Sequence, residues 1–274
     1  MLENSAFPQA PRRPATGRRR ILTGIALLLL LLFAGLGTWQ VVRLQWKLAL
    51  IDRVDARVHA APVPPPSVLP NSAQWPVMTA AADEYRHLRL SGHFLFDLTT
   101  PVQAVTVRGS GFWLMTPLCL RDGTVILVNR GFIPGALGAD SGYRAHRAPP
   151  DACATPGLPV TVDGLLRLSE PNGGFLRAND AASGRWYSRD TAAIAAARGL
   201  AGVAPFFVDA DARQAATLGP QEAAMPPVGG LTVISFPNNH LVYALTWYAL
   251  AAMVGAAWWW VARRGPGRPD ATGH

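Results

Sequence analysis

Charged residues are scarce in this chain. Only 15% of its 274 residues are Asp, Glu, Lys or Arg, whereas half are apolar. This composition excludes a disordered acidic chain, and it does not suit a charge-rich soluble enzyme. It points instead to a protein with membrane-embedded segments. The formal net charge is nevertheless +8, so the excess positive charge must be located along the chain before it indicates a partner.

The excess positive charge is confined to two short ends. Residues 1–42 contain five Arg and one Glu, for +4, and residues 263–274 contain three Arg and one Asp, for +2. The 220 residues between them contain 17 basic and 15 acidic side chains, for +2. Because nucleic acids are bound through a basic face of a folded domain, this distribution argues against a nucleic-acid partner.

Cysteine is almost absent. Cys119 and Cys153 stand 34 positions apart, which excludes a C-x-x-C redox pair and a short zinc or copper loop made from these residues alone. A disulfide between them is allowed in an oxidising compartment, but two free or buried thiols are the expectation. His87 and His93 are expected to be surface residues on the wet face of a strand, not metal ligands.

The sequence has no evident catalytic set. It contains no glycine-rich phosphate loop, and its Ser-Gly pairs lack the context of a nucleophile elbow. Four carboxylates could be argued into an acid pair, although carboxylates at turns and strand ends are far more common: Asp180, Asp190, Asp209 and Asp211. We therefore expect neither an enzyme nor a metal site, and a membrane-anchored hydrolase is the weakest alternative.

Two long uncharged runs are the strongest physical signal. They extend from Ile21 to Val42 and from Leu241 to Ala262, 22 residues each. At about 1.5 Å per residue, each helix would be roughly 33 Å long, enough to cross a hydrocarbon core about 30 Å thick. Both are predicted to span a membrane. A cleaved signal peptide and a twin-arginine export signal are weaker alternatives for the first run, which is longer than a signal-peptide core.

Lys and Arg flank these spans unevenly. Five Arg precede the first span, Arg263 and Arg264 follow the second, and no Lys or Arg occurs between Arg213 and Arg263. Since positive residues favour the cytoplasmic side, both termini are predicted to be cytoplasmic. The cations Arg43 and Lys47, which follow the first span, favour the opposite orientation. Because two spans place both termini on the same side of the membrane, the charge difference across the second span decides the predicted orientation.

The predicted location is therefore a bacterial inner membrane with the main domain in the periplasm. A mitochondrial inner membrane is the alternative, because the Arg-rich, acid-poor start also suits a transit peptide. The predicted segments are a cytoplasmic N-terminus (1–20), a first span (21–42), an amphipathic helical extension (43–61), a β-rich domain (62–240), a second span (241–262) and a tail (263–274).

The extension and the domain are predicted from periodicity. Apolar residues from Leu44 to Val58 recur at steps of three and four, and prolines from Pro62 onward end the helix. Alternation over 85–96 predicts a half-buried strand, and two β-rich runs separated by Arg121-Asp122-Gly123 predict a hairpin. Four further runs predict strands, at 160–168, 185–190, 205–210 and 231–236. The run 190–201 predicts a helix, and residues 134–157 predict an exposed loop.

The predicted fold class is an α+β membrane protein. Two transmembrane helices flank an external, mainly antiparallel β domain, a small barrel or sandwich, with a few helices.

One histidine stands at the mouth of the second span. A helix starting near His240 would place Tyr243, Ala244 and Trp247 below it, with Trp247 about 10 Å deeper. An imidazole above an apolar and aromatic groove suits a haem axial ligand and its packing wall. A polar residue at a helix start is the competing interpretation.

Six sequence blocks, in order, resemble the Surfeit locus protein 1 family, which comprises membrane proteins needed for building cytochrome c oxidase. The blocks are 37–51, 84–94, 126–134, 165–190, 205–210 and 236–251. The resemblance implies an assembly factor and not an enzyme, acting as a chaperone of respiratory-chain biogenesis. Its implied partners are the lipid bilayer, cytochrome c oxidase subunits and haem a synthase.

The resemblance also implies a cofactor site. Family members are thought to act while haem a enters the largest oxidase subunit, so His240 is the candidate axial ligand for transiently held haem a, with Tyr243 and Trp247 beside it. Arg43, Lys47 or Arg130 would then pair with the propionates. The alternative function is a scaffold that holds oxidase assembly intermediates without binding haem.

Overall fold

The computed structural model describes residues 15–68, 75–135, 143, 146–155, 157–174, 176–213, 226–232 and 236–264. The chain divides into two compact units. We call them the helix pair (Met1–Asp52 with Ser235–His274) and the β domain (Arg53–Ile234). The elements in chain order are α1 (Ala15–Val58), β1 (His87–Phe94), a 3-10 helix (Phe96–Leu98), β2 (Thr100–Thr106), β3 (Gly109–Leu120), β4 (Val125–Pro134), β5 (Val160–Leu168), α2 (Thr191–Arg198), β6 (Val203–Ala210) and α3 (His240–Arg263).

The helix pair consists of α1, up to Asp52, and α3. Both helices are long and apolar enough to cross a membrane, as the uncharged runs predict. Helix α1 continues without a break through the predicted extension and ends at Val58. The two helices run antiparallel, because Thr23 near the start of α1 meets Trp258 near the end of α3, whereas Gln40 meets His240.

The β domain is a closed barrel of five strands. Its strand order is β1-β5-β6-β4-β3, and β1 also pairs with β3, which closes the ring. Strand β2 extends β3 outside the ring. All pairings are antiparallel except that of β4 with β6. The fold class predicted from the sequence is confirmed, with the barrel and not the sandwich as the form of the sheet.

Apolar residues on one parity of the strands fill the barrel. Leu88 and Leu90 of β1 are fully buried, as the alternation over 85–96 predicts. The rest of this core includes Leu118, Ile126, Val128, Val162, Leu166, Phe206 and Val208. A second cluster lies on the opposite face of the sheet, where Ile194 of α2 packs with Phe207 and Trp186. Helix α2 therefore covers part of the outer wall.

One predicted strand is wrong, one is described only in part, and one strand is missed. Residues 186–190 form no strand, because Asn179 Oδ1 accepts from the Tyr187 and Ser188 amides and so replaces a ladder with side-chain bonds. Residues 231–232 also form no strand, and 233–235 lie outside the described residues. Strand β2 carries Pro101, which argues against a strand in sequence but is tolerated at a sheet edge.

The expectation of two free or buried thiols is wrong. Cys119 and Cys153 form a disulfide, with their Cα atoms 5.6 Å apart. Cys119 lies on β3 and is fully buried, and the bond ties the segment around Cys153 to that strand. Sequence separation could not reveal this pairing, because the segment returns to β3 only through tertiary structure.

The expectation of two surface histidines is also wrong. Both side chains are half-buried. The His87 Nδ1 lies 2.9 Å from the Ala60 carbonyl oxygen, and its Nε2 lies 3.0 Å from Oδ2 of Asp211. His93 lies opposite Cys119 on the neighbouring strand, and its ring packs against Gly157. The segment that the disulfide holds therefore covers a face that periodicity alone assigns to water.

Removing the disulfide should destabilise the β domain. It closes a loop of 34 residues, and a constraint of this length contributes about 2–4 kcal/mol to the free energy of unfolding. Thermal unfolding of the detergent-solubilised protein should occur at lower temperature with reductant, and Cys119→Ser/Cys153→Ser should reproduce this without reductant. The double variant is the control, because reductant should not change its midpoint. Equal midpoints for wild type in both conditions would contradict the prediction.

Candidate functional site

His240 is held by a hydrogen bond across the helix pair. It is the first residue of α3 and is half-buried. Its Nδ1 lies 2.7 Å from Oε1 of Gln40, a buried residue of α1. Phe33, Gly37 and Gln40 recur on α1 at steps of four and three, so they share the side that faces α3. The bond therefore fixes the imidazole at the start of α3.

This hydrogen bond selects one form of the imidazole. The Gln40 oxygen can only accept, so Nδ1 must carry the proton and donate it. In the neutral ring, Nε2 then keeps its lone pair, and among the described residues it has no hydrogen-bond partner. Metal-ligating histidines in proteins show this arrangement, with one nitrogen held by an acceptor and the other available to the metal. The donor set therefore fits a single axial ligand for a haem iron.

The aromatic residues near His240 separate into two groups. Trp247 stacks on Phe33 of α1 with ring centroids 5.8 Å apart. The Tyr248 hydroxyl is 3.0 Å from Thr38 Oγ1, and its ring lies over Gly37, where an added Cβ would be 2.8 Å from the ring. Tyr243 is 54% exposed. Of the predicted residues, the structure brings His240 and Trp247 against α1 and leaves Tyr243 on the exposed surface.

Cations lie just beyond Gln40 on α1. The Arg43 guanidinium stands 4.8 Å from the ring centre of Trp46, and the Lys47 ammonium 5.1 Å from that of Phe236. Arg130, the third residue predicted to pair with propionates, is only 2% exposed. It lies inside the β domain, where it donates to Thr116 and stacks on Phe96. Burial therefore removes Arg130 from this set.

The carboxylates that could have formed an acid pair are separated by the fold. Asp190 caps α2 by accepting from the Ala193 amide, and Asp180 belongs to an exposed turn. Asp211 accepts from His87. Asp209, only 4% exposed, accepts from Asn129, Arg167, Arg189 and Thr232. Each of these carboxylates is thus committed to a structural contact.

Asp180, Glu170 and Arg189 of the β domain are held in their charged forms. Hydrogen bonds from Ser183 and then Arg185 lower the pKa of Asp180 to about 2. Burial alone would raise the pKa of Glu170, but hydrogen bonds from Arg189 outweigh it and lower the pKa. Burial likewise opposes the charge of Arg189, yet Asp209 and Glu170 raise its pKa. Groups shifted in these directions are not poised to exchange protons near neutral pH.

Other residues of the six blocks have structural contacts. Asn129 donates to Asp209 and accepts from the Gly131 amide. Gly131 has a φ of +136°, and a Cβ there would lie 2.5 Å from the Val228 carbonyl carbon, so only glycine fits. In the described part of the chain, no three His, Cys, Asp or Glu side chains come together as a metal site.

These features define a class of protein. It is a membrane protein in which one apolar helix precedes a five-stranded barrel in the sequence and another follows it. A polar contact joins the two helices at the start of the second.

The family follows from comparison with known sequences. The chain matches the SURF1 family over residues 27–252 and belongs to that family, which confirms the resemblance of the six blocks. It is 33% identical to Surfeit locus protein 1 of Mus musculus over 242 residues, covering 82% of this chain and 70% of that protein. The same protein of Homo sapiens is 33% identical, with 82% and 72% covered.

A SURF1-like protein of Monosiga brevicollis is also 33% identical, with 85% of each chain covered. The SURF1 family is known as a family of cytochrome c oxidase assembly factors. The match includes Gln40 and His240, both of which lie within residues 27–252.

The sequence did not identify Gln40 as a partner of His240. The two residues are 200 positions apart, and only the antiparallel pairing of the two spans brings them together. A search for polar residues at the outer ends of both predicted spans would have found the pair, since an isolated amide at that depth requires a partner.

Replacing Asp209 should strongly destabilise the β domain. Asp209→Asn leaves the half-buried Arg167 and Arg189 without one carboxylate, and loss of one partner of a buried ion pair costs about 3–5 kcal/mol. Chemical denaturation of the solubilised protein measures this. Asp180→Asn is the matched control, because that carboxylate is exposed and should change stability little. A similar result for both variants would show that the Asp209 network does not stabilise the barrel.

Acid should weaken the same region through Glu170. Its folded-state pKa lies below its ordinary value of 4.5, so its stabilisation is fully present above that value and is lost as pH falls through the folded pKa. Unfolding midpoints of wild type should therefore decline below about pH 4.5, and Glu170→Gln should reduce the slope. Parallel pH profiles for the two proteins would contradict the assignment.

Proposed function

We propose that the chain is an assembly factor for cytochrome c oxidase that holds haem a while it is delivered to, or inserted into, the largest oxidase subunit. Membership of the SURF1 family supports the assembly role. The observation that carries the haem part is the bond from His240 Nδ1 to Gln40 Oε1, which leaves Nε2 available. His240 is the proposed axial ligand, and Gln40 is the residue that orients it.

The chemistry of the cargo explains why such a site is useful. Haem a is an apolar macrocycle with an isoprenoid tail, and it is insoluble and reactive when free in water. Within a bilayer, the apolar surface of α3 can shield one face, and the exposed ring of Tyr243 one turn below His240 lies on that surface. A single protein ligand leaves the second axial position free for transfer to the recipient.

The proposed location is the bacterial inner membrane, with both termini cytoplasmic and the barrel in the periplasm. Positive residues before the first span and after the second support this orientation. The mitochondrial inner membrane is the alternative. The proposed partners are cytochrome c oxidase subunits and haem a synthase, which would meet the protein within the bilayer.

Replacing His240 should remove haem from the protein. The variant His240→Ala lacks the proposed ligand, so protein purified from cells that make haem a should lose its haem absorption. Gln40→Leu should retain less haem than wild type, because the ring is no longer oriented, a loss of roughly 10- to 100-fold in affinity. The absorption spectrum and a pyridine haemochrome assay measure both.

The matched control is His59→Ala, which removes an exposed histidine near the end of α1. It should carry as much haem as wild type. If His240→Ala kept the same stoichiometry and spectrum as wild type, the haem site would have to be abandoned.

A scaffold without haem is the second candidate function. Its support is the surface of α1, where Trp39, Val42 and Trp46 are each more than half exposed and could contact another membrane helix. Oxidase subunits that co-purify equally with wild type and His240→Ala, with haem in neither sample, would favour this function.

A further inference from the structure

Two cations follow the first span on the side where positive charge is disfavoured. Arg43 is the first charged residue after the uncharged run, and Lys47 lies one helical turn beyond it. Positive residues near a span normally lie on the cytoplasmic side, which in the proposed orientation is the other end of this helix. Their presence here calls for a specific interaction that offsets the bias.

The charged heads of Arg43 and Lys47 are held by aromatic rings. Arg43 lies over Trp46, and Lys47 over Phe236, which comes four residues before His240. Among the described residues, neither cation forms an ion pair with a carboxylate. Cation–π contacts position a charge but leave its N–H groups free to donate.

Three arginines of the β domain show the contrast. Arg89 is paired with Asp163, Arg167 with Glu84 and Asp209, and Arg189 with Glu170. In that domain, carboxylates of the chain itself neutralise these cations. The helix pair offers no such carboxylate to Arg43 or Lys47 in the described residues, although both cations are held in place.

The position of these cations relates them to His240. Arg43 and Lys47 follow Gln40 on α1 by three and seven positions. They therefore lie about 4.5 Å and about 10 Å along the axis from the residue that contacts His240. Phe236 brings the segment that precedes α3 to Lys47. The two cations therefore lie within about 10 Å of Gln40 along the helix axis, on the side of His240 where the uncharged run ends.

We propose that Arg43 and Lys47 form a binding site for anionic oxygen groups presented at the bilayer surface. The ligand chemistry is a carboxylate or phosphate that accepts charge-assisted hydrogen bonds. The source that the position favours is the pair of propionate carboxylates of the haem held by His240, and this part rests on the proposed function. The other source is the phosphate of a lipid headgroup, which does not depend on it.

The first experiment titrates haem a and its dimethyl ester into protein held in phosphatidylcholine nanodiscs. The ester keeps the iron and the ring but lacks the carboxylates. Arg43→Gln/Lys47→Gln should bind the free acid at least about tenfold more weakly than wild type, because the charge-assisted hydrogen bonds to the carboxylates are lost. Its affinity for the ester should equal that of wild type, and the absorption maximum should not change, since His240 is intact.

The matched control is Arg53→Gln, an exposed cation further along α1 that should alter neither affinity. Circular dichroism should show the same helix content in all variants, because the replaced side chains are at least partly exposed.

The second experiment separates the two sources. Wild type and the double variant are incorporated into nanodiscs that contain some phosphatidylglycerol, extracted gently, and analysed for retained lipid by native mass spectrometry. Retention of anionic lipid by wild type but not by the variant, with no difference between haem acid and ester, would assign the site to headgroup phosphate. Equal behaviour of both proteins in both experiments would overturn the proposal.

The two proposals fail in different ways. If wild type binds neither haem a nor its ester, the haem-holding function is wrong, whereas the lipid experiment still tests the cation site. If His240→Ala abolishes haem binding but the double variant binds acid and ester as wild type does, the function stands and the propionate contact is wrong.

Discussion

Inside a bilayer no water can satisfy a polar side chain, and this constraint determines how the two helices meet. Among the described residues, side chains of α1 and α3 contact each other through polar atoms at three levels: Thr23 with Trp258, Thr38 with Tyr248, and Gln40 with His240. An unpaired polar group in hydrocarbon is costly, so these pairs favour a single antiparallel register over others that apolar packing alone would allow. The position of the imidazole is a consequence of that register.

The charged residues of the two units have different contacts. The β domain encloses Asp209 with Arg167 and Arg189, an arrangement that contributes rigidity only when every member is present. In the helix pair, Arg43 and Lys47 lie over aromatic rings and form no ion pair with a carboxylate of the described residues. Charge therefore holds the barrel together in one unit, whereas in the other unit the proposal assigns it to binding a ligand.

Sequence alone predicted the features that depend on local periodicity. The spans follow from the lengths of the uncharged runs, β1 from its alternation, and α2 from the helical run at 190–201. Prediction from the sequence failed for features that depend on contacts between segments distant in the chain. The Cys119–Cys153 bond, the partners of His87, and the loss of a strand at 186–190 all depend on segments far away in sequence. The candidate site shows the same difference. His240 could be predicted from the sequence, whereas Gln40 was recognised as its hydrogen-bond partner only in the structure.

The last strand of the barrel in sequence, β6, lies between β4 and β5 in the sheet. The ring consequently cannot close while the chain is emerging until residues 203–210 have been made, and pairings so distant in sequence form slowly. Until then β4 and β5 each expose an unpaired edge, the kind of surface on which chains associate wrongly. By that stage α1 has already been synthesised and α3 has not, so the growing barrel would be confined near the membrane by one end only. With β6 made last, the first helix would be the part of the chain that attaches the incomplete barrel to the membrane, before it becomes one half of the mature helix pair.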